Sequence, residues 1–224
     1  MPGRLAQFFT LDEFNTRFAT TPSTDGLSWS PRYNISPTTA MFILRISETG
    51  QLEPAVVRFG LLPAWSKDEK MCFHNARVES LTDKPSFREA FRKRRCILPL
   101  NGFYVWTEKG KVRLPHFVER ADRGLLACAG LWERWVSKPD GRIVESTTLV
   151  TRDSDSRLLT FDDRMPLTLD SKDQKIWLDP NPDPDQLTSL MMSRDWPETR
   201  IYRVSRKVNS GKMEGPECIE PNDD

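Results

Sequence analysis

Apolar residues along the chain recur in short runs that alternate with polar residues, the pattern of half-buried β-strands. The runs span 41–45, 56–59, 96–99, 103–107, 113–119, 125–129, 144–151 and 200–204. Turn-forming segments with glycine lie at 48–50, 108–111, 122–124 and 139–141. The pattern predicts short strands that pair as an antiparallel meander.

Helix starts are indicated by capping boxes, in which a Ser or Thr hydroxyl and an acid or amide three residues later satisfy free backbone N–H groups. The candidate pairs are Thr10 with Glu13, Ser86 with Glu89 and Ser171 with Gln174. A further helix is predicted over 185–193, where Pro184 presets helix entry. Strands with a few helices indicate the α+β class.

Composition narrows the picture. The 224 residues contain no Gly/Ser-rich linker or low-complexity tract, so we expect one domain over 1–224. The formal net charge of +1 excludes a basic chain that coats nucleic acid through bulk charge. Any contact with DNA must therefore come from a local patch.

Cysteine and histidine placement argues against a metal site. Cys72, Cys96, Cys128 and Cys218 form no C-x-x-C pair, and His74 and His116 are the only histidines. We expect buried free thiols, no metal and no cofactor. The start of the chain lacks the apolar core of a signal peptide, and no later run is long enough to cross a bilayer, so a reducing cytoplasm is expected.

Short motifs run in order from residue 2 to the end of the chain. They are PGR at 2–4, RYNISP at 32–37, NARVES at 75–80, KPSFR at 84–88, RCILP at 95–99, GFYVW at 102–106, AGLWE at 129–133, DRMP at 163–166 and VSRKVN at 204–209. This ordered set resembles the SRAP family, whose members sense abasic sites in single-stranded DNA. The resemblance implies a twisted, mixed, mostly antiparallel sheet that curls toward a barrel, with peripheral helices and a groove across one face.

The resemblance also implies a chemistry that position 2 changes. An abasic site presents an aldehyde, which condenses with an amine to a Schiff base. In the family, that amine belongs to an N-terminal cysteine exposed by removal of Met1, and the thiol then closes a thiazolidine ring. Here the residue is Pro2. Without a thiol next to the amine, no such ring can form.

Two further catalytic positions of the family differ in this chain. Val105 stands where the family has a glutamate, and it cannot transfer a proton. Glu108 is three residues further, so strand alternation places it on the opposite face and makes it a poor substitute. Asp162 replaces a histidine and, when ionised, only accepts hydrogen bonds. Asn75 matches the family and can still hydrogen-bond a sugar, so recognition is expected to outlast catalysis.

Residues that match DNA-contacting positions of the family are better preserved. This DNA-facing set consists of Arg4, Asn34, Trp65, Asn75, Arg77, Trp106, Thr151, Arg164 and Ser205. Guanidinium groups suit phosphate oxygens, and an aromatic face can stack a splayed base. Core packing is the expected role of Trp132, Trp177 and Trp196, whereas Trp65 is open between the two roles. The basic run 92–95 is interpreted as a solvated helix end.

Three functions therefore stay open. The preferred one is a pseudoenzyme that binds single-stranded DNA non-covalently, at abasic sites or strand junctions. The second is Schiff-base or lyase chemistry through a Pro2 amine, which an unprocessed Met1 would block as an amide; a plain N-terminal turn is the favoured role of Pro2. The third is a scaffold that no longer touches DNA, favoured if the groove arginines are held in internal salt bridges. The peptidase label of the family is tied to removal of Met1 and is not carried over.

Overall fold

The strands belong to a computed structural model that describes residues 2–18, 29–47 and 49–222. Glu48, in one of the predicted turns, lies outside those ranges. The strands are β1 (Leu5–Gln7), β2 (Arg32–Ile35), β3 (Ala40–Ile46), β4 (Leu52–Phe59), β5 (Asn75–Arg77), β6 (Arg95–Leu100), β7 (Gly102–Lys109), β8 (Val112–Arg120), β9 (Leu126–Val136), β10 (Ile143–Asp153), β11 (Arg164–Pro166) and β12 (Thr199–Arg203). The α-helices are α1 (Leu11–Phe18), α2 (Arg88–Lys93), α3 (Ser171–Leu178) and α4 (Pro184–Met192), and short 3-10 helices span Val78–Ser80, Arg206–Ser210 and Pro216–Cys218.

The longer sheet closes into a small barrel. Around it, β10 pairs with β4, β4 with β3, β3 with β6, β6 with β9, and β9 returns to β10. Strands β5 and β11 extend the far end of β10. The pairings of β10 with β4 and β5 are parallel, and the other pairings of this sheet are antiparallel. The α+β class and the mostly antiparallel, barrel-like sheet are thus confirmed.

A second, five-stranded sheet has the order β12-β8-β7-β1-β2, and all its pairings are antiparallel. The predicted simple meander is wrong, because β6 and β7 follow each other in the chain yet belong to different sheets. The switch occurs at Asn101, whose Oδ1 accepts a 2.6 Å hydrogen bond from the backbone N–H of Phe8. Buried Gln7 fastens β1 to the barrel, with Nε2 donating to the carbonyls of Phe42 and Pro99.

Successive side chains of a strand point to opposite faces of the sheet and therefore pack in two different apolar clusters. On β3, Met41 and Ile43 face a cluster shared by both sheets, whereas Phe42 and Leu44 pack under the helices. The helices cover the barrel with buried aromatic and aliphatic side chains, including fully buried Trp177. The two sheets and the helix layer are therefore held by separate, continuous apolar clusters.

Two of the predicted helix starts are confirmed. Thr10 and Glu13 form the capping box, with the Thr10 N–H donating to Glu13 Oε2 at 2.7 Å and the Glu13 N–H donating to Thr10 Oγ1 at 3.2 Å. Pro184 opens α4, and the carboxylate of Asp183 caps it. The fixed φ of proline and a preceding acceptor act together here.

The other two capping boxes are wrong. Helix α3 is capped by Asp170, which accepts from the N–H groups of Lys172 and Asp173 at 2.7 Å, so Ser171 is already helical. Helix α2 begins at Arg88, after Phe87, with no side-chain cap. In α3 the carboxylate of Asp170 caps the helix in place of the Ser171 hydroxyl, one residue later. The spacing of Ser171 and Gln174 alone does not show which residue is the cap.

The basic run at the end of α2 divides into two pairs. Arg92 and Lys93 are exposed in the last turn, as predicted for a solvated helix end. Arg95 is buried and donates to the carbonyls of Trp177 and Phe91, and Arg94 pairs with buried Glu133 at 2.8 Å. The interpretation of the whole run as solvated is therefore wrong, because its second half fastens helices to the barrel.

Cysteine placement agrees with the sequence. All four cysteines are free; Cys96, Cys128 and Cys218 are buried and Cys72 is half-buried. Burial raises the pKa of the Cys96 thiol to about 12, as expected for an inert thiol in an apolar core. In the part of the chain that the structure describes, no α-helix has both the length and the apolar character needed to cross a bilayer.

Candidate functional site

A cavity of about 850 Å³ opens at the free end of the β7–β8 hairpin. We call it the main cavity. Its walls come from the start of the chain, the hairpin end, the 160–163 loop and the 3-10 helix Arg206–Ser210. The lining residues are Gly3, Arg4, Trp106, Thr107, Glu108, Arg113, Thr160, Phe161, Asp162, Asp163 and Asn209. Arg4, Trp106 and Asp162, which the sequence singled out from distant parts of the chain, thus meet at one place.

Pro2 and Asn75 are joined directly beside this cavity. Pro2 is buried and precedes Gly3, which lines the cavity. The Asn75 side chain donates from Nδ2 to the Pro2 carbonyl at 2.9 Å. Its Oδ1 is buried and has no hydrogen-bond partner among the described residues, which leaves one strong acceptor unsatisfied next to Pro2. A ligand that brings a hydroxyl or amine hydrogen would satisfy it.

Val105 belongs to the core rather than to the cavity. It is 1% exposed and packs in the cluster between the sheets. Its cross-strand partner on β8 is half-buried His116, whose ring lies 4.9 Å from that of Phe161. Desolvation is the main reason that the pKa of His116 is lowered, so the imidazole is neutral at pH 7. Position 105 therefore offers no proton-transfer group.

Glu108 is closer to the site than the sequence indicated. Strand alternation does place Val105 in the core, and Tyr104 and Trp106 pack in another cluster. Glu108 nevertheless lines the main cavity together with Asp162, because the end of the hairpin forms part of its wall. Asp162 is half-buried, and its Oδ1 accepts the backbone N–H of Arg164 at 3.1 Å. Glu108 thus lies on the face of β7 opposite Val105, as predicted, and that face borders the main cavity at the hairpin end.

Arg4 is positioned by a fully formed polar network. Its Nη1 donates to Asn34 Oδ1 and to the Val208 carbonyl, both at 2.9 Å, and its Nη2 donates to the Asn209 carbonyl at 3.3 Å. Asn34 is 1% exposed and also donates to the carbonyls of Val208 and Met213. Partial burial lowers the pKa of Arg4, which stays charged. Asn34 is therefore a positioning residue, and Arg4 presents its guanidinium at the cavity edge.

Trp106 is also fixed in orientation. Its Nε1 donates to Asn209 Oδ1 at 2.7 Å, and the guanidinium of Arg113 lies 5.2 Å from the ring centroid. Asn209 Nδ2 in turn donates to the Arg113 carbonyl at 3.0 Å. The indole is thus held between an amide and a cation at the cavity wall, which suits a stacking platform whose rotamer is fixed in advance.

Arg164 is an internal anchor. It is 5% exposed, pairs with Glu79 at 2.9 Å and with Asp153, and donates to the Thr151 carbonyl at 2.7 Å. Burial is the largest single influence and raises the pKa of Glu79, but the hydrogen bond and charge of Arg164, a backbone hydrogen bond and the charge of Arg77 together outweigh it, so the net pKa is lowered. The guanidinium ties β11 to β10 and to the 3-10 helix Val78–Ser80.

The remaining members of the DNA-facing set lie on nearby strands and on separate loops. Arg77 is exposed at the end of β5 and pairs in register with buried Thr151 on β10. Trp65 is 53% exposed, with its indole N–H donating to the Pro85 carbonyl at 3.2 Å. Ser205 caps the 3-10 helix Arg206–Ser210 by accepting the Lys207 N–H.

The tryptophans expected in the core do pack there. Trp177 is fully buried, and Trp132 and Trp196 are partly buried against the cluster between the sheets. Exposed Trp65 is the exception that the sequence left open.

Comparison with known proteins identifies the family. The model of the SOS response associated peptidase family, SRAP, matches residues 1–211. The chain belongs to the SRAP family. It is 35% identical to the abasic site processing protein YoqW of Bacillus subtilis, over 98% of this chain and 99% of that protein. It is 28% identical to the abasic site processing protein YedK of Escherichia coli, over 99% of this chain and 100% of that protein.

Solved structures show the same fold. A protein from Bacteroides thetaiotaomicron superposes with a TM-score of 0.85 at 24% identity, covering 98% of this chain and 99% of that chain. A phage-related protein from Bordetella bronchiseptica superposes with a TM-score of 0.71 at 21% identity, covering 91% of this chain and 94% of that chain. At these identities the likeness establishes the SRAP fold and nothing finer.

In this SRAP chain, the cavity residues that sequence reasoning did not single out include the two that hold Trp106 in place. Arg113 faces Glu108 in register across the hairpin, and Asn209 lies 103 residues from its partner Trp106. The signal for Arg113 was the hairpin itself, since a predicted two-strand pair brings its ends together. Asn209 closes the VSRKVN motif, but no local pattern connects it to a tryptophan so far away.

Proposed function

We propose that this protein is a non-covalent, single-stranded DNA-binding member of the abasic site processing family, directed to abasic or junction DNA. The relatives named above are abasic site processing proteins, and the SRAP model spans most of the chain. The observation that carries the proposal is the Asn75–Pro2 contact, which leaves a buried, unpartnered acceptor beside a residue that has no thiol. The site therefore keeps a hydrogen-bonding group for DNA next to a residue that cannot close a thiazolidine ring.

The main cavity offers cations and an aromatic face to a nucleic-acid strand, beside the carboxylates of Glu108, Asp162 and Asp163. Arg4 and Arg113 supply cations at its edge, and Trp106 supplies a fixed aromatic face. Exposed Arg77 adds a cation on β5, the strand that carries Asn75. Stacking contributes roughly 1 to 3 kcal/mol per base, so a few such contacts support binding without a covalent bond.

The loss of the family's reactive groups supports a pseudoenzyme. Pro2 has no thiol, Val105 is sealed in the core, and Asp162 accepts a backbone N–H rather than acting as an imidazole would. A carboxylate is still available in Glu108, at the cavity wall. It lies on the hairpin end, in register with Arg113.

A second candidate is amine chemistry at Pro2, favoured by the Asn75 contact that holds its carbonyl beside the cavity. After removal of Met1, the secondary amine would attack the aldehyde and release water to give an iminium. Loss of the proton next to the iminium carbon would then expel the 3′ phosphate by β-elimination. Met1 lies outside the described residues.

Occupied guanidinium groups favour a third candidate, a scaffold without DNA binding. Arg164 is buried in its ion pairs, and Arg4 donates to three acceptors. Arg77 is exposed on the strand that carries Asn75, so its guanidinium is accessible to DNA. A substitution of Arg77 therefore distinguishes a DNA-binding protein from a scaffold.

Fluorescence anisotropy with single-stranded DNA, with and without one abasic site, tests the proposal. We expect measurable binding that favours the abasic strand and falls about 10- to 100-fold in Arg77→Ala, the effect of losing a charge-assisted hydrogen bond. Arg142→Ala is the matched control: it removes one exposed arginine just before β10 begins at Ile143, roughly 30 Å along the strand from Thr151. No binding by the wild type to either strand would leave the scaffold as the answer.

A further inference from the structure

A second cavity, of about 310 Å³, lies between the end of α4 and the ends of two central strands. We call it the base pocket. Its lining consists of Val78, Glu79, Arg152, Asp153, Thr188, Met191, Met192, Ser193 and Arg194. The volume is at the lower end of ligand sites, about 300 to 1,000 Å³, so it holds one planar ring system rather than a stack. None of these residues belongs to the DNA-facing set.

The base pocket lies directly beyond the strands that carry the proposed DNA contacts. Strands β5 and β10 run parallel, with Asn75 opposite Leu149 and Arg77 opposite Thr151. The next residues of both segments, 78–79 and 152–153, form one wall of the pocket. A strand rises about 3.3 Å per residue, and stacked nucleotides are spaced by about 3.4 Å. A nucleotide adjacent to one held at Arg77 therefore reaches the pocket mouth.

The opposite wall is apolar and open. Met191 and Met192 at the end of α4 face Val78 across the pocket, and Met192 is 73% exposed. Thioether side chains adapt their shape and contact aromatic rings favourably. The exposed thioether of Met192, at a cavity rim next to the proposed strand path, gives an unstacked base a polarisable surface to contact.

The floor carries a buried guanidinium with an unused donor. Arg152 is 3% exposed, and its terminal nitrogens donate to the carbonyls of Asp153, Arg194 and Asp195 at 3.3 Å each. Its Nε is buried and has no hydrogen-bond partner within residues 2–18, 29–47 and 49–222. Such a donor costs free energy until an acceptor reaches it, and ring nitrogens and carbonyls of nucleobases are acceptors.

Charge at the base pocket favours a nucleotide. The two carboxylates that line it, those of Glu79 and Asp153, are held by Arg164. Arg194 is exposed and close enough to Arg152 to lower its pKa, after the larger effect of burial. The positive charge left at the rim suits a phosphate.

We propose that the base pocket receives one unpaired nucleobase of the bound strand, stacked on the methionine wall, with its phosphate toward Arg194. This assignment rests on the proposed function and deepens it. It makes the protein a reader of a base neighbouring the abasic position as well as of the site itself.

The test uses single-stranded oligonucleotides that carry one abasic site and 2-aminopurine at successive positions on either side. We expect 2-aminopurine emission to change on binding at one position, and that change to be lost in Met192→Ala. Affinity should fall about 2- to 10-fold in Met192→Ala, the range of a sulfur–aromatic contact. Ile143→Ala, which shortens an exposed apolar side chain at the first residue of β10, away from the pocket, should change neither.

A second variant addresses the phosphate. The slope of log K for DNA binding against log salt concentration is negative. Arg194→Ala should reduce its magnitude by about 0.7, the value for one phosphate contact on a single strand. Emission that changes equally at all positions, or affinity that Met192→Ala leaves intact while Arg77→Ala abolishes it, overturns the base pocket and leaves the proposed function standing. Absence of any binding by the wild type overturns both.

Discussion

The side-chain amide of Asn75 donates a 2.9 Å hydrogen bond to the backbone carbonyl of Pro2, 73 residues earlier in the chain. The bond holds the first described residue against β5, so the start of the chain is part of the site. The amide oxygen of Asn75 is left buried without a partner. Native structures retain few such atoms, and those retained call for a functional or structural reason.

Replacement of Asn75 by alanine separates recognition from stability. The variant loses one hydrogen bond, worth about 1 kcal/mol, but also loses an unsatisfied buried oxygen, so we expect a small change in melting temperature. Preference for abasic over intact single-stranded DNA should fall toward unity. Paired anisotropy titrations measure this ratio. Exposed Asn181, between α3 and α4, provides the control as Asn181→Ala. An unchanged ratio in Asn75→Ala would remove Asn75 from recognition.

Arg164→Ala should destabilise the fold by about 2 kcal/mol, since it leaves the buried Thr151 carbonyl unpaired and breaks ion pairs to two carboxylates that are more than half exposed. Arg142→Ala, which breaks an exposed pair with Glu69, should cost less than about 1 kcal/mol. Urea unfolding of both variants gives the comparison. Equal costs would contradict the role of Arg164 as an internal anchor.

The stability gap caused by Arg164→Ala should depend on pH. Arg164 lowers the pKa of Glu79 in the folded protein, so the stabilisation is fully present above the unfolded pKa, about 4.3. It is lost as the pH falls through the lower folded pKa. Unfolding at pH 7 and pH 3 should therefore show a smaller gap between wild type and variant at acid pH. A gap that widens toward acid would reverse the assigned sign.

Two tryptophans should respond in opposite ways to alanine. Trp177 is fully buried, and Trp177→Ala should cost about 3 to 5 kcal/mol of stability. Trp65 is half-exposed, so Trp65→Ala should leave the melting temperature nearly unchanged. If Trp65 stacks a base, DNA affinity in that variant falls by roughly 1 to 3 kcal/mol. Thermal melts and anisotropy on both variants decide, and unaltered affinity in Trp65→Ala would assign that side chain to the surface only.

Val105→Glu should not restore the missing proton shuttle. The side chain at this position is 1% exposed among apolar neighbours, where an unpaired carboxylate is expensive to bury. We expect a lower melting temperature than in Val105→Ile, a larger apolar substitution at the same place. A Val105→Glu protein as stable as the wild type would mean that position 105 opens onto the cavity.

The long strands could be predicted because they alternate. The 103–107 run lies within β7 (Gly102–Lys109), and the 144–151 run lies within β10 (Ile143–Asp153). Strands β1, β2, β5 and β11 have three or four residues each, too short for a period of two to stand out. The missed strands include β5, which positions Asn75, so the site could not be assembled from strand patterns alone.

Long-range partners set the other limit on prediction. Arg164 matched a DNA-contacting position, but its carboxylate partner Glu79 lies 85 residues away, and no local signal links them. Arg4 and Trp106 were named through the family resemblance, whereas Asn209 was not, although its backbone carbonyl accepts from Arg4 and its Oδ1 accepts from Trp106. Sequence patterns thus name candidates, and burial decides which of them face a ligand.

The central claim is that binding occurs without a covalent bond, and borohydride trapping followed by intact-mass measurement tests it most directly. Protein and abasic single-stranded DNA are incubated, reduced and denatured, with Arg77→Ala and intact DNA in parallel. The account predicts native binding that depends on Arg77, and a protein mass without any DNA adduct after denaturation. An adduct formed on abasic DNA alone, mapped to Pro2 in protein that lacks Met1, would contradict it and establish amine chemistry instead.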